Sequence, residues 1–507
     1  MTGPVMGHVM GRRQVLAAQG LALGCYAAWV IWVGLHHEPW FDEIQAWLLA
    51  RDNSLVTLIG TYARYEGTPG LWHALLWLVI RAGLPLSAIW VLSAGFAIVA
   101  AAIVLWRAPF ALPLRIGLLA TWYFGFQYSV VARGYCLDLL LIPVAAILFA
   151  DRVRRPVAYA LVVGVIANIN AYSFVFAGLL GLDLLVQLVI ARKWRDGRAL
   201  AALALAGGLG LLAMGTAWQP ADNGFMAQVA PLKQNPVAIA AVFVANALFD
   251  RATPWSEVRA GGLNVVLGMV LSLGFLGLVA RLVLAGRDRL LMLAIPVVLI
   301  VFSGVVLASS WHGGVLFMAV VFVLWTQWRN PVDLPTRRLL IAALALLEIG
   351  QAVETLHSGL RDIAGAYSAG QPAAAAVMAW RQGHPGARID AFGGQSFETQ
   401  GWLPRNVYAN YHEGAAHPQF VRWNKDERWH GLPTAAEWHA MLAERPDAVL
   451  ASVVWVPLPV KQDLAGQVCR SGYAVASRFP AAMEWRGVPS DNSLILFERA
   501  KSGACAR

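Results

Sequence analysis

Apolar runs long enough to cross a lipid bilayer recur along this chain, and they constrain its fold more than any other feature. A helix needs about 20 apolar residues to span the hydrocarbon core, and the first such run is Gln14–Leu35. No small-residue cleavage site follows it, so we expect a retained helix rather than a signal peptide. Charged residues make up only 13% of the chain, whereas soluble domains carry about 25%. The sequence therefore predicts a polytopic, mostly α-helical membrane protein.

Basic residues gather in short loops between the apolar runs, which predicts the orientation of the chain. Arg12 and Arg13 place the N-terminus in the cytoplasm. All later basic clusters fall on that same side if the short run Thr68–Ile80 lies on the outer face; if that run crosses, most clusters fall outside. The clusters are Arg107 with Arg115; Arg152, Arg154 and Arg155; Arg192, Lys193, Arg195 and Arg198; Arg281, Arg287 and Arg289; and Arg329, Arg337 and Arg338.

We expect about eleven transmembrane helices, with juxtamembrane helices on the outer face and the C-terminus outside. A long outer loop, Gln219–Ala260, contains an apolar stretch, Val237–Phe249, that is typical of an amphipathic helix in the interface. The predicted spans are Gln14–Leu35, Ser87–Trp106, Leu114–Val131, Tyr135–Ala150, Val157–Ile169, Ser173–Ile190, Leu200–Trp218, Gly262–Val279, Leu290–Leu307, Gly314–Trp328 and Leu339–Val353.

The composition becomes mixed and polar after about Glu354, so we divide the chain into a membrane module, 1–356, and a C-terminal domain, 357–507. Strands alternating with a helix predict a small α/β domain on the outer face. Cys469 and Cys505 can form a disulfide if that face is oxidising and the two residues lie close enough. Both a disulfide and two free thiols stay open. The predicted elements are strands Ala387–Phe392, Asp447–Val456, Tyr473–Phe479 and Asn492–Arg499, and helix Pro433–Glu444.

Two adjacent carboxylates, Asp42 and Glu43, follow the first apolar run in "HHEPWFDEIQAWLLARDNS", residues 36–54. A structural interpretation is available: Asp42 suits the N-cap of a helix, and Glu43 suits the helix dipole. The neighbouring aromatic residues fit an interfacial belt. The stretch alone is equally compatible with an interfacial helix and with a catalytic site.

Further ionisable side chains are predicted on the same outer face, where such residues are often functional. Each has a structural alternative: His312 as an interfacial residue, for example, or Arg133 and Asp138 as a structural pair. Together they suit transfer of a sugar from a lipid phosphate, which needs a general base for the acceptor and cations for the leaving phosphate. The set comprises Arg64, Tyr65 and Glu66 in the first outer loop, Arg133 and Asp138 at the next outer turn, Arg251 in the long loop, and His312 at a later turn.

"EPWFDEIQAWLLARD" (Glu38–Asp52) followed by "YEGTPGLWHALLWL" (Tyr65–Leu78) resembles the first outer loop of the GT-C glycosyltransferases. This superfamily includes protein O-mannosyltransferases, the aminoarabinose transferase of lipid A and oligosaccharyltransferases. The resemblance covers about the first 220 residues and the general plan of many spans followed by an outer domain. It implies that Asp42 is the catalytic or acceptor-positioning acid, with Glu43 beside it as a support or a ligand of sugar hydroxyls. Arg133 and Asp138 match the family's second outer turn.

The resemblance further implies a polyprenyl-phosphate-linked donor and inversion at the anomeric carbon. The acceptor would be a hydroxyl or amine on a cell-envelope glycan, lipid or protein, at the outer face of a bacterial inner membrane. Arg64, Arg251 or His312 would join Arg133 at the donor phosphate. Two departures stand out: Thr68-Pro69-Gly70 replaces the His-Pro-Pro of related proteins, and no W-W-D-x-G-like signature of oligosaccharyltransferases is present.

Other classes of function fit the sequence less well. Nucleic-acid binding would need a soluble domain or face rich in basic residues, and the sequence shows none. A nucleotide-sugar donor would need a Gly-rich phosphate loop, which the sequence also lacks. His36, His37, Asp42 and Glu43 could ligate a divalent cation, but we read them as interfacial polar residues and assign no metal site. A transporter or flippase of a lipid-linked envelope precursor remains the alternative, although the charges cluster at one interface and no repeat is evident. A non-catalytic assembly partner with a decayed site is a third possibility.

Overall fold

The structure of the protein is a computed structural model that describes residues 11–224, 235–249, 263–306, 311–411, 419–425, 434–456, 461–485 and 488–500. Of the candidate site residues and cysteines named above, Arg251 and Cys505 lie outside these ranges. Four bounds of predicted segments also lie outside them: Ala260, Gly262, Leu307 and Pro433. The helices of the membrane part are Arg12–His36, Phe41–Asp52, Leu71–Arg81, Trp90–Arg107, Leu112–Ala120, Cys136–Phe149, Pro156–Ala167, Ala171–Ile190, Gly197–Ala217, Pro236–Ala247, Leu263–Leu284, Arg289–Val305, Gly313–Gln327 and Leu334–Ala364.

Six helices in the described ranges are long and apolar enough to cross a membrane. The other apolar helices are shorter, including Leu71–Arg81, which was predicted to stay on the outer face. The protein is thus a mostly helical chain with several candidate spans, and the count of eleven stays a prediction. The six candidates are Arg12–His36, Leu86–Arg107, Ala171–Ile190, Gly197–Ala217, Val266–Leu284 and Leu334–Ala364.

Polar residues at the helix ends explain several of the boundaries. The side chain of Asn170 accepts a hydrogen bond from the Ser173 N–H and caps the helix Ala171–Ile190. The side chain of Asp333 accepts a hydrogen bond from the Thr336 N–H and caps the longest described helix, Leu334–Ala364. Such caps satisfy N–H groups that have no partner within the helix.

The predicted span Leu114–Val131 is not one continuous helix. The α-helix ends at Ala120, and a short π-helix, Tyr123–Gln127, follows it. The Gly125 backbone lies against the side chain of Thr355 in the last long helix, and the Thr355 hydroxyl donates to the Ala120 carbonyl at 2.7 Å. The apolar pattern does not reveal this break, because contact with a distant helix satisfies the freed carbonyl.

The helix predicted in the long outer loop is present as Pro236–Ala247, with Pro at its first turn and Asn235 as its N-cap. Its second half is buried, from Phe243 to Ala247. The Gln351 side-chain amide donates to the carbonyl of Leu248 at 3.0 Å. The helix therefore begins exposed and ends packed inside the bundle, rather than lying along the interface for its whole length.

The C-terminal region contains the four predicted strands as β1 (Ile389–Phe392), β2 (Ala448–Ser452), β3 (Tyr473–Phe479) and β6 (Leu494–Arg499). They form one sheet in the order β1-β2-β6-β3, in which only the β1–β2 pair is parallel. The helix predicted over residues 433–444 is observed as Ala435–Ala443. The helix Gly370–Gly383 and the hairpin of β4 (Ala482–Trp485) with β5 (Val488–Asp491) were not predicted.

The boundary proposed at residue 357 falls inside the helix Leu334–Ala364, which continues from the membrane part into the C-terminal region. Cys469 is disulfide-bonded, while Cys25 and Cys136 are free. Pairing of Cys469 with Cys505 stays a prediction, because Cys505 is not described.

The loops that carry four of the five basic clusters contact one another at one end of the bundle. Arg152 binds Asp183 at 2.6 Å and Asp288 at 2.8 Å. Asn330 donates to the Leu282 carbonyl at 3.0 Å. The ring of Phe110, between Arg107 and Arg115, lies 4.8 Å from that of Trp328. This grouping of basic loops is the arrangement that the charge pattern predicts.

The opposite end of the bundle carries the first outer loop and the C-terminal region. The helix Arg12–His36 runs from one end of the bundle to the other. Near the basic loops, the Gln19 side-chain amide donates to the Leu105 carbonyl. His37 follows the helix at the end that carries the first outer loop. There the His37 ring binds Asp362, near the end of the last long helix, at 2.8 Å. Asp42 and Glu43 come directly after this junction.

Candidate active site

The helix Phe41–Asp52, which we call the loop helix, carries both carboxylates in its first turn. Its N-cap is Trp40, which follows Pro39 and has extended backbone angles, φ −101° and ψ −177°. The Glu43 carboxylate accepts the Trp40 N–H at 3.2 Å and so supplies the cap. Asp42 is therefore not the N-cap that the structural interpretation required, and its side chain is available for another role.

Asp42 forms an ion pair with Arg133, whose Nη1 donates to the Asp42 carboxylate. Both side chains remain in part accessible, at 26% for Asp42 and 23% for Arg133. The Arg133 guanidinium lies 5.5 Å from the ring centres of both Tyr135 and Trp311. The structure thus brings the predicted base and the predicted phosphate ligand together at an accessible position lined by aromatic rings.

The surroundings of Asp42 favour its protonated form more than water does. Burial raises the pKa of Asp42, the Arg133 guanidinium lowers it, and the negative charges of Glu66 and Glu43 raise it again. The net effect is a pKa above the ordinary value. A carboxylate with a raised pKa is a stronger base once ionised, which suits proton abstraction from an acceptor.

Glu43 differs from Asp42, because it is fully buried and both its carboxylate oxygens are bonded. One oxygen accepts the Ala132 N–H at 2.6 Å, next to Arg133 in the chain. The other accepts the Trp40 N–H and lies 3.0 Å from Nε2 of His37. Glu43 therefore joins the loop helix to the turn that carries Arg133, and its geometry supports a positioning role.

His37 connects Glu43 to the last long helix through Asp362, and both side chains are fully buried. Burial lowers the pKa of His37, but the charges of Asp362 and Glu43 outweigh this effect and raise it to about 10. His37 is thus a buried cation between two carboxylates at neutral pH. Its sequence neighbour His36 instead contacts the Trp32 carbonyl within the first helix.

Two more predicted residues lie near the Asp42–Arg133 pair. The charge of Glu66 acts on both members of the pair, and its carboxylate lies 3.0 Å from Nε2 of His73. The ring of His312 stacks on Tyr172 at 5.0 Å and meets the edge of Tyr135 at 5.9 Å. His312 therefore belongs to the aromatic surface behind Arg133.

Other predicted residues contact different partners. Arg64 donates to the Trp218 carbonyl at 2.8 Å, and the Tyr65 hydroxyl donates to Asp222 at 3.0 Å. Asp138 is buried and accepts from Ser173 and Asn170, so it does not form the structural pair with Arg133 considered above. Arg251 lies outside the described residues.

Several residues of the site were not identified as such from the sequence: Tyr135, Trp311, Asp362 and His73. Asp362 carried a weak signal, because it is an acid near the end of the last apolar helix. His37 was considered only as a metal ligand. Within the described ranges, no group of three or more His, Cys, Asp or Glu side chains is placed to hold a metal ion.

No protein-family model matches the chain, and no curated protein matches it. Among solved structures it is similar to ArnT from Cupriavidus metallidurans bound to undecaprenyl phosphate, with a TM-score of 0.48 and 12% identity over 97% of this chain and 99% of that one. It is also similar to the arabinofuranosyltransferase AftD from Mycobacteria, with a TM-score of 0.31 and 12% identity over 97% of this chain and 40% of that one.

Proposed function

We propose that the protein is an integral membrane glycosyltransferase that moves a sugar from a polyprenyl-phosphate-linked donor to an acceptor hydroxyl or amine. The observation that carries this proposal is the accessible Asp42–Arg133 pair. In this pair a carboxylate with a raised pKa lies beside a cation, and both follow apolar helices, where a lipid-linked phosphate would lie. The family resemblance of the first outer loop supports the same conclusion.

In the proposed reaction, the Asp42 carboxylate takes a proton from the acceptor group. The acceptor oxygen or nitrogen attacks the anomeric carbon as the bond from that carbon to the phosphate oxygen breaks. The electron pair leaves with the phosphate. One direct displacement of this kind inverts the configuration at the anomeric carbon, and no covalent enzyme intermediate is needed.

Arg133 would stabilise the negative charge that develops on the leaving phosphate. A guanidinium has five N–H donors in one plane, so Arg133 can hold Asp42 through Nη1 and still donate to phosphate oxygens. The rings of Trp311 and Tyr135 keep the guanidinium in place. Charge stabilisation of this type is usually the largest single contribution to such catalysis.

An apolar cavity beside the first outer loop offers room for part of the polyprenyl chain. Its volume is about 210 Å³. It lies between the helix Leu71–Arg81, which follows Glu66, and two apolar helices of the bundle. The lining residues are Ile59, Gly70, Leu71, Ala74, Val165, Asn168, Leu209, Leu212 and Thr216.

We place the reaction at the outer face of a bacterial inner membrane. The basic loops at the other end of the bundle support this orientation, since basic loops are retained in the cytoplasm. Asp42 and Arg133 lie beyond the end of the first helix rather than in the middle of the bundle. This position argues against the transporter alternative, in which the charges would lie near the midplane.

The test compares envelope glycans by mass spectrometry in a deletion strain that carries the wild-type gene, Asp42→Asn or Asp52→Asn. Asp52 is a suitable control because it lies at the far end of the same helix, where it binds Arg51. We expect one sugar mass to be lost in the deletion strain, restored by the wild type and Asp52→Asn, and absent with Asp42→Asn. The mass that is lost identifies the sugar and its acceptor. If Asp42→Asn restores the wild-type pattern, Asp42 is not the base and the proposal fails.

A further inference from the structure

Two glutamates connect the first outer loop to the C-terminal region, because each accepts a first-turn N–H of a helix in the other region. Glu398, in the C-terminal region, accepts the N–H of Phe41 in the first turn of the loop helix, at 3.2 Å. Glu38, just before the loop helix, accepts the N–H of Gln371 in the first turn of the helix Gly370–Gly383, at 2.6 Å. The first-turn N–H groups of a helix have no partner within the helix, so each region satisfies a donor of the other.

Glu398 is held in a fixed position on its own side of this contact. It is fully buried, and the Ser368 hydroxyl donates to its second oxygen at 2.6 Å. Burial raises the pKa of Glu398 to about 8, against hydrogen bonds from Ser368 and Phe41 that lower it. Glutamine has nearly the same shape and keeps an oxygen that can accept the Phe41 N–H.

Apolar contacts surround the cap formed by Glu398, which is partly buried, whereas the cap formed by Glu38 is exposed. The rings of Phe41 and Phe397 lie 4.9 Å apart. Gly401 leaves room for the fully buried Ile44 of the loop helix, since a Cβ at this position would lie 3.0 Å from its Cγ2. The first turn of the loop helix, which contains Asp42, is therefore packed against the C-terminal region on one side and Arg133 on the other.

We propose that Glu398 is a positioning residue, through which the C-terminal region holds the first turn of the loop helix and so orients Asp42. This inference rests on the proposed function for the role of Asp42. It assigns the C-terminal region a part in the chemical step. Glu398 acts through the Phe41 N–H and does not touch substrate.

The test uses Glu398→Ala, Glu398→Gln and the control Glu498→Ala in the full-length protein. Glu498, on β6, accepts from the Trp380 indole at 3.1 Å, so its loss removes a hydrogen bond within the C-terminal region that does not involve the loop helix. Hydrogen–deuterium exchange is measured on a peptide spanning residues 38–52. Transfer is measured as kcat and donor KM, with the donor identified by the glycan comparison above.

We expect Glu398→Ala to speed exchange in the first turn of the loop helix and to lower kcat at least about tenfold, with donor KM little changed, because small displacements of a reacting group are costly. Glu398→Gln keeps an oxygen for the Phe41 N–H and offers an N–H to Ser368, so both readouts should return close to wild type. Glu498→Ala should leave both unchanged.

Unchanged exchange in Glu398→Ala would overturn the positioning role. So would an equal loss of kcat in Glu498→Ala, which would indicate general destabilisation of the C-terminal region. The exchange measurement needs no activity, so it separates the two proposals. Faster exchange in Glu398→Ala would show that Glu398 holds the loop helix. If Asp42→Asn were fully active as well, the proposed function would fail, and the contact would have no role in catalysis.

Discussion

Asp42 and Glu43 are neighbours in the chain, yet their carboxylates have different surroundings. Glu43 is fully buried and bonded to two backbone N–H groups and to His37. Asp42 keeps a quarter of its side chain accessible and has Arg133 as its partner. Since a base must reach its substrate and a positioning group must not move, these surroundings support the proposal that Asp42 acts in the chemical step and that Glu43 holds the loop helix in place.

The charge of Glu66 gives a test of the role of Asp42 through pH. A neighbouring negative charge disfavours the ionised carboxylate, so Glu66 raises the pKa of Asp42. A rate that requires ionised Asp42 falls as pH drops through that pKa. We expect Glu66→Gln to lower the pKa of Asp42 and to move the acid limb of the kcat profile to lower pH. Rates of transfer measured across acidic pH check this shift.

Glu498→Gln serves as the control for that profile, because Glu498 lies on β6 and is not among the charges that act on Asp42. Its acid limb should coincide with that of the wild type. The direction of the shift is the informative quantity, since Glu66→Gln also changes the environment of His73 and can alter the maximal rate. An acid limb that stays in place, or moves to higher pH, would show that Asp42 is not the titrating base.

At the scale of single elements, the close approach of Gly370 to Glu398 gives a prediction about stability. A Cβ at Gly370 would lie 2.8 Å from the Glu398 carbonyl oxygen, whereas one at Gly383, at the other end of the same helix, would meet nothing within 4 Å. We expect Gly370→Ala to destabilise the protein by about 1–3 kcal/mol, as overpacking does. Gly383→Ala should be neutral or slightly stabilising.

The apparent melting temperature of the two purified variants in detergent measures this difference. Gly370→Ala should melt below the wild type and Gly383→Ala should not. If the two variants melt alike, the contact between the helix Gly370–Gly383 and Glu398 is too loose to hold the loop helix. The positioning proposal would then lose its structural basis.

Helices and strands could be predicted from the sequence where consecutive residues carry the pattern. Contacts between these elements could not be predicted. β3 was predicted at its observed bounds, Tyr473–Phe479, because alternation within a strand is written in consecutive residues. The ion pair of His37 with Asp362 joins residues far apart in the chain, and no local pattern records it. The same holds for Trp311 beside Arg133. The sequence thus indicated Asp42 and Arg133 as members of the site but not the groups that hold them.

For the whole molecule, the structure constrains how many times the chain crosses from one end to the other. The first helix leads from the basic end to His37. The last long helix begins with Asp333, which lies 3.6 Å from Arg281 at the basic end, and reaches Asp362 beside His37. The chain therefore starts at the basic end and arrives at the site end, which requires an odd number of crossings. The six long candidate spans of the described residues are an even number, so these six, each crossing once, do not by themselves account for the two ends.

This parity predicts that the two ends of the molecule face opposite compartments. A phosphatase reporter that is active only outside the cytoplasm should be active when fused after Arg507, because the C-terminal region packs at the site end. The same reporter fused after Arg195, between the helices Ala171–Ile190 and Gly197–Ala217, should be inactive, since that loop carries the basic cluster of residues 192–198 and basic loops stay in the cytoplasm. Activity at Arg195 with none at Arg507 would invert the protein in the membrane. It would place Asp42 on the cytoplasmic side and require a donor presented there.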